Sequence, residues 1–120
     1  MSNAAQAYAR AAQTTSSPRE IEAQALLKAA RKLQDAANLN ASLETINEAL
    51  VFNSKLWSIF VTEAMRDDNP QPVETRQGLA NLGIFVLSQS AALQVLPEAD
   101  KIHALIEINR NLAAGLSGRA

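Results

Sequence analysis

The side chains that could hold a metal ion are few and scattered along this chain. His103 and Glu107 lie four residues apart, a spacing that two ligands on a helix can use, but with one His and no Cys the chain cannot complete a coordination sphere. Asp67 and Asp68 precede Asn69, yet the Gly and the distal Glu of a calcium loop are missing. We therefore predict a solvated surface histidine, a solvated turn and no metal site.

Patterns that would support catalysis are also missing from the sequence. Ser54, Ser58 and Ser88 have no adjacent base, and the chain has no glycine-rich phosphate loop and no paired-carboxylate motif. The absence of Cys removes thiol nucleophiles and disulfides. We therefore expect a protein that is not an enzyme, has no cofactor and takes no small-molecule substrate.

One basic cluster, formed by Lys28, Arg31 and Lys32, is a candidate for contact with RNA. Asp35 dilutes its charge, and no aromatic side chain is interleaved for base stacking. The chain carries 11 basic and 12 acidic residues and a formal net charge of -1, which does not indicate a polyanion partner. A solvated helix face is the expected interpretation, and direct RNA binding is not expected.

Apolar residues recur at helical spacing along the chain, with short breaks and no sustained alternation at period two. For 120 residues this pattern predicts one all-α domain, a compact bundle of four long helices preceded by a short N-terminal helix. The predicted helices cover about 2–13, 18–37, 43–66, 72–96 and 100–116. We expect residues 1–16 to form a loosely tethered helix and linker, and residues 17–118 to form the core bundle.

Capping residues mark where two of these helices should begin. Ser17 is placed to accept a hydrogen bond from an early backbone N–H, and Pro18 suits the first helical position. Ser42 is expected to cap the next helix in the same way.

The run from Gln77 to Pro97 contains no charged residue, so it has to be considered as a membrane span. Its polar residues are Gln77, Asn81, Ser88, Gln89, Ser90 and Gln94, which make it too polar to cross a bilayer. The N-terminal residues also lack the basic and apolar regions of a secretory signal. We therefore expect a cytoplasmic protein without membrane contact, in which this run forms a buried or partner-facing helix.

The central predicted helix carries the only Trp of the chain, and an Asn, within its apolar surface. Its apolar face consists of Ile46, Leu50, Asn53, Trp57, Phe60 and Ala64, spaced by three or four residues. Asn109 lies in the middle of the apolar face of the last helix. Since a buried amide without partners costs about 1–3 kcal/mol, we expect Asn53 and Asn109 to bond to each other, to backbone at a helix crossing or to a bound chain.

Three blocks of the sequence resemble the signature blocks of the FlaF flagellar biosynthesis regulators. They are Asn53 with Leu56, Trp57 and Phe60; residues 82–87, Leu-Gly-Ile-Phe-Val-Leu; and residues 105–111, Leu-Ile-Glu-Ile-Asn-Arg-Asn. Their order and spacing also match, and the opening around Tyr8 and residues 17–22 is similar to that of many members. The resemblance therefore covers nearly the whole chain.

The resemblance implies a small cytoplasmic protein that is needed for flagellin production and export and acts beside FlbT, which restrains flagellin translation. One implied role is a chaperone that binds flagellin and keeps it soluble and export-competent. The alternative role is a post-transcriptional regulator of flagellin translation that acts with FlbT by protein or RNA contact. A structural adaptor that binds FlbT or the export machinery is a third possibility.

In the chaperone role, the partner segments are the amphipathic terminal helices of flagellin, which suit an apolar groove on a helical protein. The central and fourth predicted helices have more apolar circumference than one core contact uses. We predict that the groove is lined by Leu56, Trp57, Phe60, Ile84 and Phe85, with Tyr8 of the N-terminal helix acting as a lid. For Trp57 the alternative is core packing. Asn53 and Asn109 are predicted to set the helix register.

Overall fold

The structure is a computed structural model that describes residues 17–118, and this part of the chain contains four α-helices and no strand. Helix α1 spans Pro18–Ala36, α2 spans Leu43–Ala64, α3 spans Val73–Val95 and α4 spans Ala99–Leu116. The predicted all-α bundle of four long helices is confirmed. The predicted N-terminal helix, including Tyr8, lies outside the described residues.

Side-chain caps explain where the first two helices begin. The Glu20 backbone N–H donates to Ser17 Oγ at 3.2 Å, and Pro18 occupies the first helical position. At α2, the Thr45 backbone N–H donates to Ser42 Oγ at 3.0 Å. Both bonds satisfy an N–H that a helix start leaves without an intrahelical acceptor, so the two predicted caps are confirmed.

The connection between α2 and α3 is fixed by hydrogen bonds from its own side chains. Arg66 pairs with Asp68 through Nε at 2.9 Å and Nη2 at 2.8 Å, and this guanidinium lowers the pKa of the Asp68 carboxyl. Arg76 donates from Nη1 to the Arg66 carbonyl oxygen at 2.6 Å. Asn69 Nδ2 donates to the Glu63 carbonyl oxygen at 2.8 Å. The start of α3 is thereby tied to the end of α2, and the exposed Asp68 belongs to a turn, as predicted.

Each helix lies beside two others, in the order α1, α2, α3, α4 and back to α1, but the four interfaces differ in extent. The pairs α1 with α4 and α2 with α3 pack most extensively, and α1 with α2 less so. Helices α3 and α4 approach each other little, although only residues 96–98 connect them. Helix α3 therefore relies mainly on α2 to cover its apolar surface.

All four helices contribute to the core. Its largest fully buried apolar side chains are Leu26, Leu33, Leu50, Trp57, Val86, Leu93, Ile102, Leu105 and Ile106. Gly83 lies where α2 and α3 come closest: a Cβ atom at this position would overlap the Val61 side chain and lie 3.5 Å from Trp57 Cε3. Glycine therefore permits a spacing between α2 and α3 that a larger residue would not.

Candidate partner-binding surface

Asn53 and Asn109 form a hydrogen-bonded connection across the core. Asn109 Nδ2 donates to Asn53 Oδ1 at 2.7 Å, and Trp57 Nε1 donates to Asn109 Oδ1 at 3.0 Å. All three side chains are fully buried. Of the three kinds of partner expected for these asparagines, the structure shows the first, since the two bond to each other. Asn53 Nδ2 is buried and has no acceptor among the described residues.

This connection joins two helices whose backbones do not come close to each other. Helices α2 and α4 lie diagonally in the bundle, and no pair of their Cα atoms comes within 8 Å. The three side chains therefore reach across the core to bridge the diagonal. A shift of one helix along the other would leave buried polar groups without partners, which is the physical basis of the predicted register role.

The aromatic pair of α2 belongs to the core. Trp57 is 0% exposed and Phe60 is 4% exposed. Their ring centroids lie 5.4 Å apart at an interplanar angle of 86°, a favourable edge-to-face arrangement. Because neither ring has surface to offer a partner, this placement corrects the predicted contact role of Trp57 and Phe60. Leu56 is half-buried and packs against the same core.

Ile84 and Phe85 lie on the surface, where they are 58% and 51% exposed. They belong to a surface that we call the α3 outer face. This surface consists of the outward side of α3 together with the residue at its C-terminal cap. It consists of the exposed residues Asn81, Ile84, Phe85, Ser88, Ala91, Ala92, Val95 and Leu96. None of these residues is charged. Uncharged, partly apolar surface of this kind is typical of a site that another molecule covers.

The spacing of residues along the α3 outer face suits a helical partner. Ile84, Ser88, Ala91 and Val95 follow one another by four, three and four residues, which places them in one stripe along the helix. The large side chains stand at the two ends of this stripe, with small ones between them. A second helix could therefore approach α3 closely at the centre and contact Ile84 and Val95 on either side.

By length and composition, α3 is also the one helix of the described residues that could cross a membrane, and 28% of its most apolar window is buried. This criterion alone is weak evidence, because a helix in the core of a soluble protein can also meet it. Helix α3 packs on α2 along its inner side, and Gln94 Nε2 donates to Asn47 Oδ1 of α2 at 2.8 Å. The expectation of a buried or partner-facing helix rather than a membrane span stays a prediction.

The basic cluster of α1 lies in a shallow depression of about 400 Å³ between α1 and α4, which we call the basic depression. Its lining residues are Lys28, Arg31, Lys32, Gln34, Asp35 and Arg110. The ammonium groups of Lys28 and Lys32 lie 5.5 and 5.2 Å from the centroid of the Phe52 ring of α2. The sequence interpretation missed Arg110 and Phe52, because only the packing of α1 against α4 and α2 brings them to the cluster.

The residues considered as metal ligands do not come together. His103 and Glu107 are both exposed on α4. Among residues 17–118, no group of three or more histidine or carboxylate side chains is arranged to hold a metal ion.

Comparison with protein-family models identifies the family of this chain. A model described as "Flagellar protein FlaF" matches residues 4–116. This chain belongs to the FlaF family. Its role is therefore in flagellar biosynthesis. No curated protein and no solved structure matches the chain.

In this FlaF protein, the three blocks that carry the resemblance have different structural positions. The first block supplies Asn53 and Trp57 to the core, and the third supplies Asn109. The second block is divided: Gly83 packs against α2, whereas Ile84 and Phe85 are exposed. The FlaF signature thus combines residues that hold the bundle together with residues that lie on the α3 outer face.

Proposed function

We propose that this FlaF protein binds an amphipathic helical segment of flagellin on the α3 outer face and keeps flagellin soluble and export-competent in the cytoplasm. In this proposal it acts as a binding protein and not as an enzyme. The observation that carries the proposal is the α3 outer face itself, which is exposed, uncharged and continuous from Asn81 to Leu96. A helix of flagellin would lie along it with its own apolar side inward.

The physical chemistry of this face favours binding of an apolar helix. Covering the exposed parts of Ile84 and Phe85 removes apolar surface from water, at about 25 cal/mol for each Å². No charged group on the face has to lose its hydration, so the large cost of burying an unpaired charge does not arise. The weak packing between α3 and α4 also leaves α3 with surface that residues 17–118 do not cover.

The proposal is tested by calorimetric titration of the full chain with monomeric flagellin at low and at high salt. We expect a one-to-one complex with nearly unchanged affinity at the two salt concentrations, because burial of apolar surface is not screened by ions. The complex should be lost when the flagellin terminus that supplies the helix is removed.

A matched pair of variants locates the site on α3. Ile84 is 58% exposed and Ile59 of α2 is 59% exposed. Ile59 lies on nearly the opposite side of α2 from Val61, which faces α3. We expect Ile84→Lys to weaken flagellin binding by at least about 2 kcal/mol, and Ile59→Lys to leave it unchanged. Both variants should keep the wild-type melting temperature, since both positions are exposed.

Two results would contradict this proposal. If the variants weaken binding equally, the α3 outer face is not the site. If the protein binds lipid vesicles through Ile84 and not flagellin, α3 contacts a membrane. The alternative function, regulation of flagellin translation with FlbT, predicts that FlbT or flagellin leader RNA binds while flagellin does not.

A further inference from the structure

The basic depression is a second candidate surface, separate from the α3 outer face. It contains four cationic side chains, Lys28, Arg31 and Lys32 from α1 and Arg110 from α4. Among residues 17–118, ion pairs form only around Arg66 and Lys101, so none of these four cations is paired. Residues 1–16 and 119–120 contain no Asp or Glu, so every carboxylate side chain of the chain is accounted for.

The two lysines of the depression are held close to each other by the same aromatic ring. Both ammonium groups lie over Phe52, at 5.5 and 5.2 Å from its centroid, and cation–π attraction favours these positions. Like charges one helical turn apart repel each other, and Asp35, the one carboxylate in the lining, forms no ion pair with either lysine. An anionic partner would offset this repulsion.

We infer that the basic depression binds an acidic helical segment of a partner protein. Lys28 and Lys32 are one turn apart on α1, so carboxylates one turn apart on a second helix can face them in register. Arg31 and Arg110 add two guanidinium groups, which bind carboxylates in a planar, two-pronged geometry. Charge complementarity thus defines the partner as acidic, with its carboxylates spaced by three or four residues.

Three observations favour a protein segment over a nucleic acid or a small anion. The depression is shallow, whereas small ligands are usually enclosed. Asp35 lies in its lining and would repel each phosphate of an RNA strand, whereas a peptide can place a basic residue opposite it. The face of Phe52 is already covered by Lys28 and Lys32, so it is not free to stack on a base.

The test uses a fluorescein-labelled alanine-based helical peptide that carries glutamates one turn apart and a single lysine. Fluorescence anisotropy with the full-length protein is expected to show salt-sensitive binding, because the contacts are charge pairs. The double variant Arg31→Glu with Arg110→Glu should weaken binding about tenfold or more, since attraction becomes repulsion at two positions. Lys55→Glu, an exposed charge reversal on α2 outside the depression, is the control and should change affinity less than about twofold.

Any result that differs from these expectations overturns the inference. A matched peptide with glutamine in place of glutamate is expected not to bind, and equal binding of the two peptides would exclude charge recognition. Tighter binding of a single-stranded RNA oligonucleotide, lost in the double variant, would assign the depression to nucleic acid. No binding of either probe, or equal losses in Lys55→Glu and the double variant, would make the depression an ordinary solvated surface.

Discussion

Helices α2 and α3 both carry apolar residues around most of their circumference, yet the structure uses them in opposite ways. Trp57 and Phe60 of α2 are buried, and the polar Asn53, one turn before Trp57, is bonded across the core to α4. Ile84 and Phe85 of α3 are more than half exposed. The difference lies in the neighbouring helices: α2 packs against α1 and α3 and is bridged to α4, whereas among the described helices α3 has extensive contact only with α2.

An apolar circumference therefore does not by itself identify a binding surface. What matters is how many sides of the helix the rest of the domain covers. In α2 the buried aromatic residues stabilise the fold. In α3 the exposed parts of the apolar side chains have no packing partner among the described residues. Substitutions in the two helices should consequently separate loss of stability from loss of binding.

The largest loss of stability is expected for Trp57→Ala. It removes the largest fully buried side chain and the donor to Asn109 Oδ1, so the free energy of unfolding should fall by about 3–5 kcal/mol. Urea denaturation monitored by circular dichroism measures this change. If stability falls by less than about 1 kcal/mol while flagellin binding is lost, Trp57 is a contact residue after all.

The next largest effect is expected for Asn109→Leu, which removes the bridge between α2 and α4. Trp57 Nε1 and Asn53 Oδ1 both lose their partner, and each unpaired buried group costs about 1–3 kcal/mol. Together the two groups would cost about 2–6 kcal/mol, and burial of the apolar Leu side chain offsets part of this, so we expect a net loss of roughly 2–3 kcal/mol. The double variant with Asn53→Leu should recover part of this loss, because it also removes the stranded amide. A further loss in the double variant would argue against the bridge as the cause.

Gly83→Ala tests the close approach of α2 and α3. The added Cβ overlaps Val61, and overpacking of this kind costs about 1–3 kcal/mol, more than the gain in helix propensity. Gly78→Ala is the matched control on the same helix, where nothing lies within 4 Å of the new Cβ. We expect a lower melting temperature for Gly83→Ala and a slightly higher one for Gly78→Ala. Equal shifts would show that packing is not the cause.

The smallest effect on stability is expected for Phe85→Ser on the α3 outer face. Because Phe85 is 51% exposed, the free energy of unfolding should change by less than about 1 kcal/mol. The Phe85→Ser variant should nevertheless bind flagellin more weakly than the wild type, as measured by calorimetry. A large loss of stability would show that Phe85 belongs to the core and that α2 and α3 do not differ as described.

The extent of each helix could be predicted from the sequence because local signals determine it. Ser17, Pro18 and Ser42 mark helix starts, and the described helices begin and end within about two residues of the predicted positions. That Asn53 and Asn109 need hydrogen-bond partners was also predictable, since buried amides need them, but only the packing of the helices shows that they bond to each other rather than to backbone or a bound chain. Both predictions rest on requirements that hold in any arrangement of the helices.

The candidate surfaces could be predicted only in part, because they depend on which helices become neighbours. Nothing in the sequence around Trp57 distinguishes a helix covered on all sides from one with a free side. Ile84 and Phe85 lie off the apolar stripe formed by Leu79, Leu82, Val86 and Leu93, but whether they are exposed depends on which sides of α3 the other helices cover. Arg110 joins Lys28 and Arg31 only because the first and last helices pack together.

That pairing of the first and last helices affects how the chain reaches its folded state. The α2–α3 pair is local in sequence and can form early, whereas α1 and α4 can meet only after a loop containing both other helices has closed. During synthesis, the apolar stripe of α1 that contains Leu26 and Leu33 is therefore fully covered only after α4 has left the ribosome. Until α4 has emerged, the side of the core that it covers on α1 stays open to solvent.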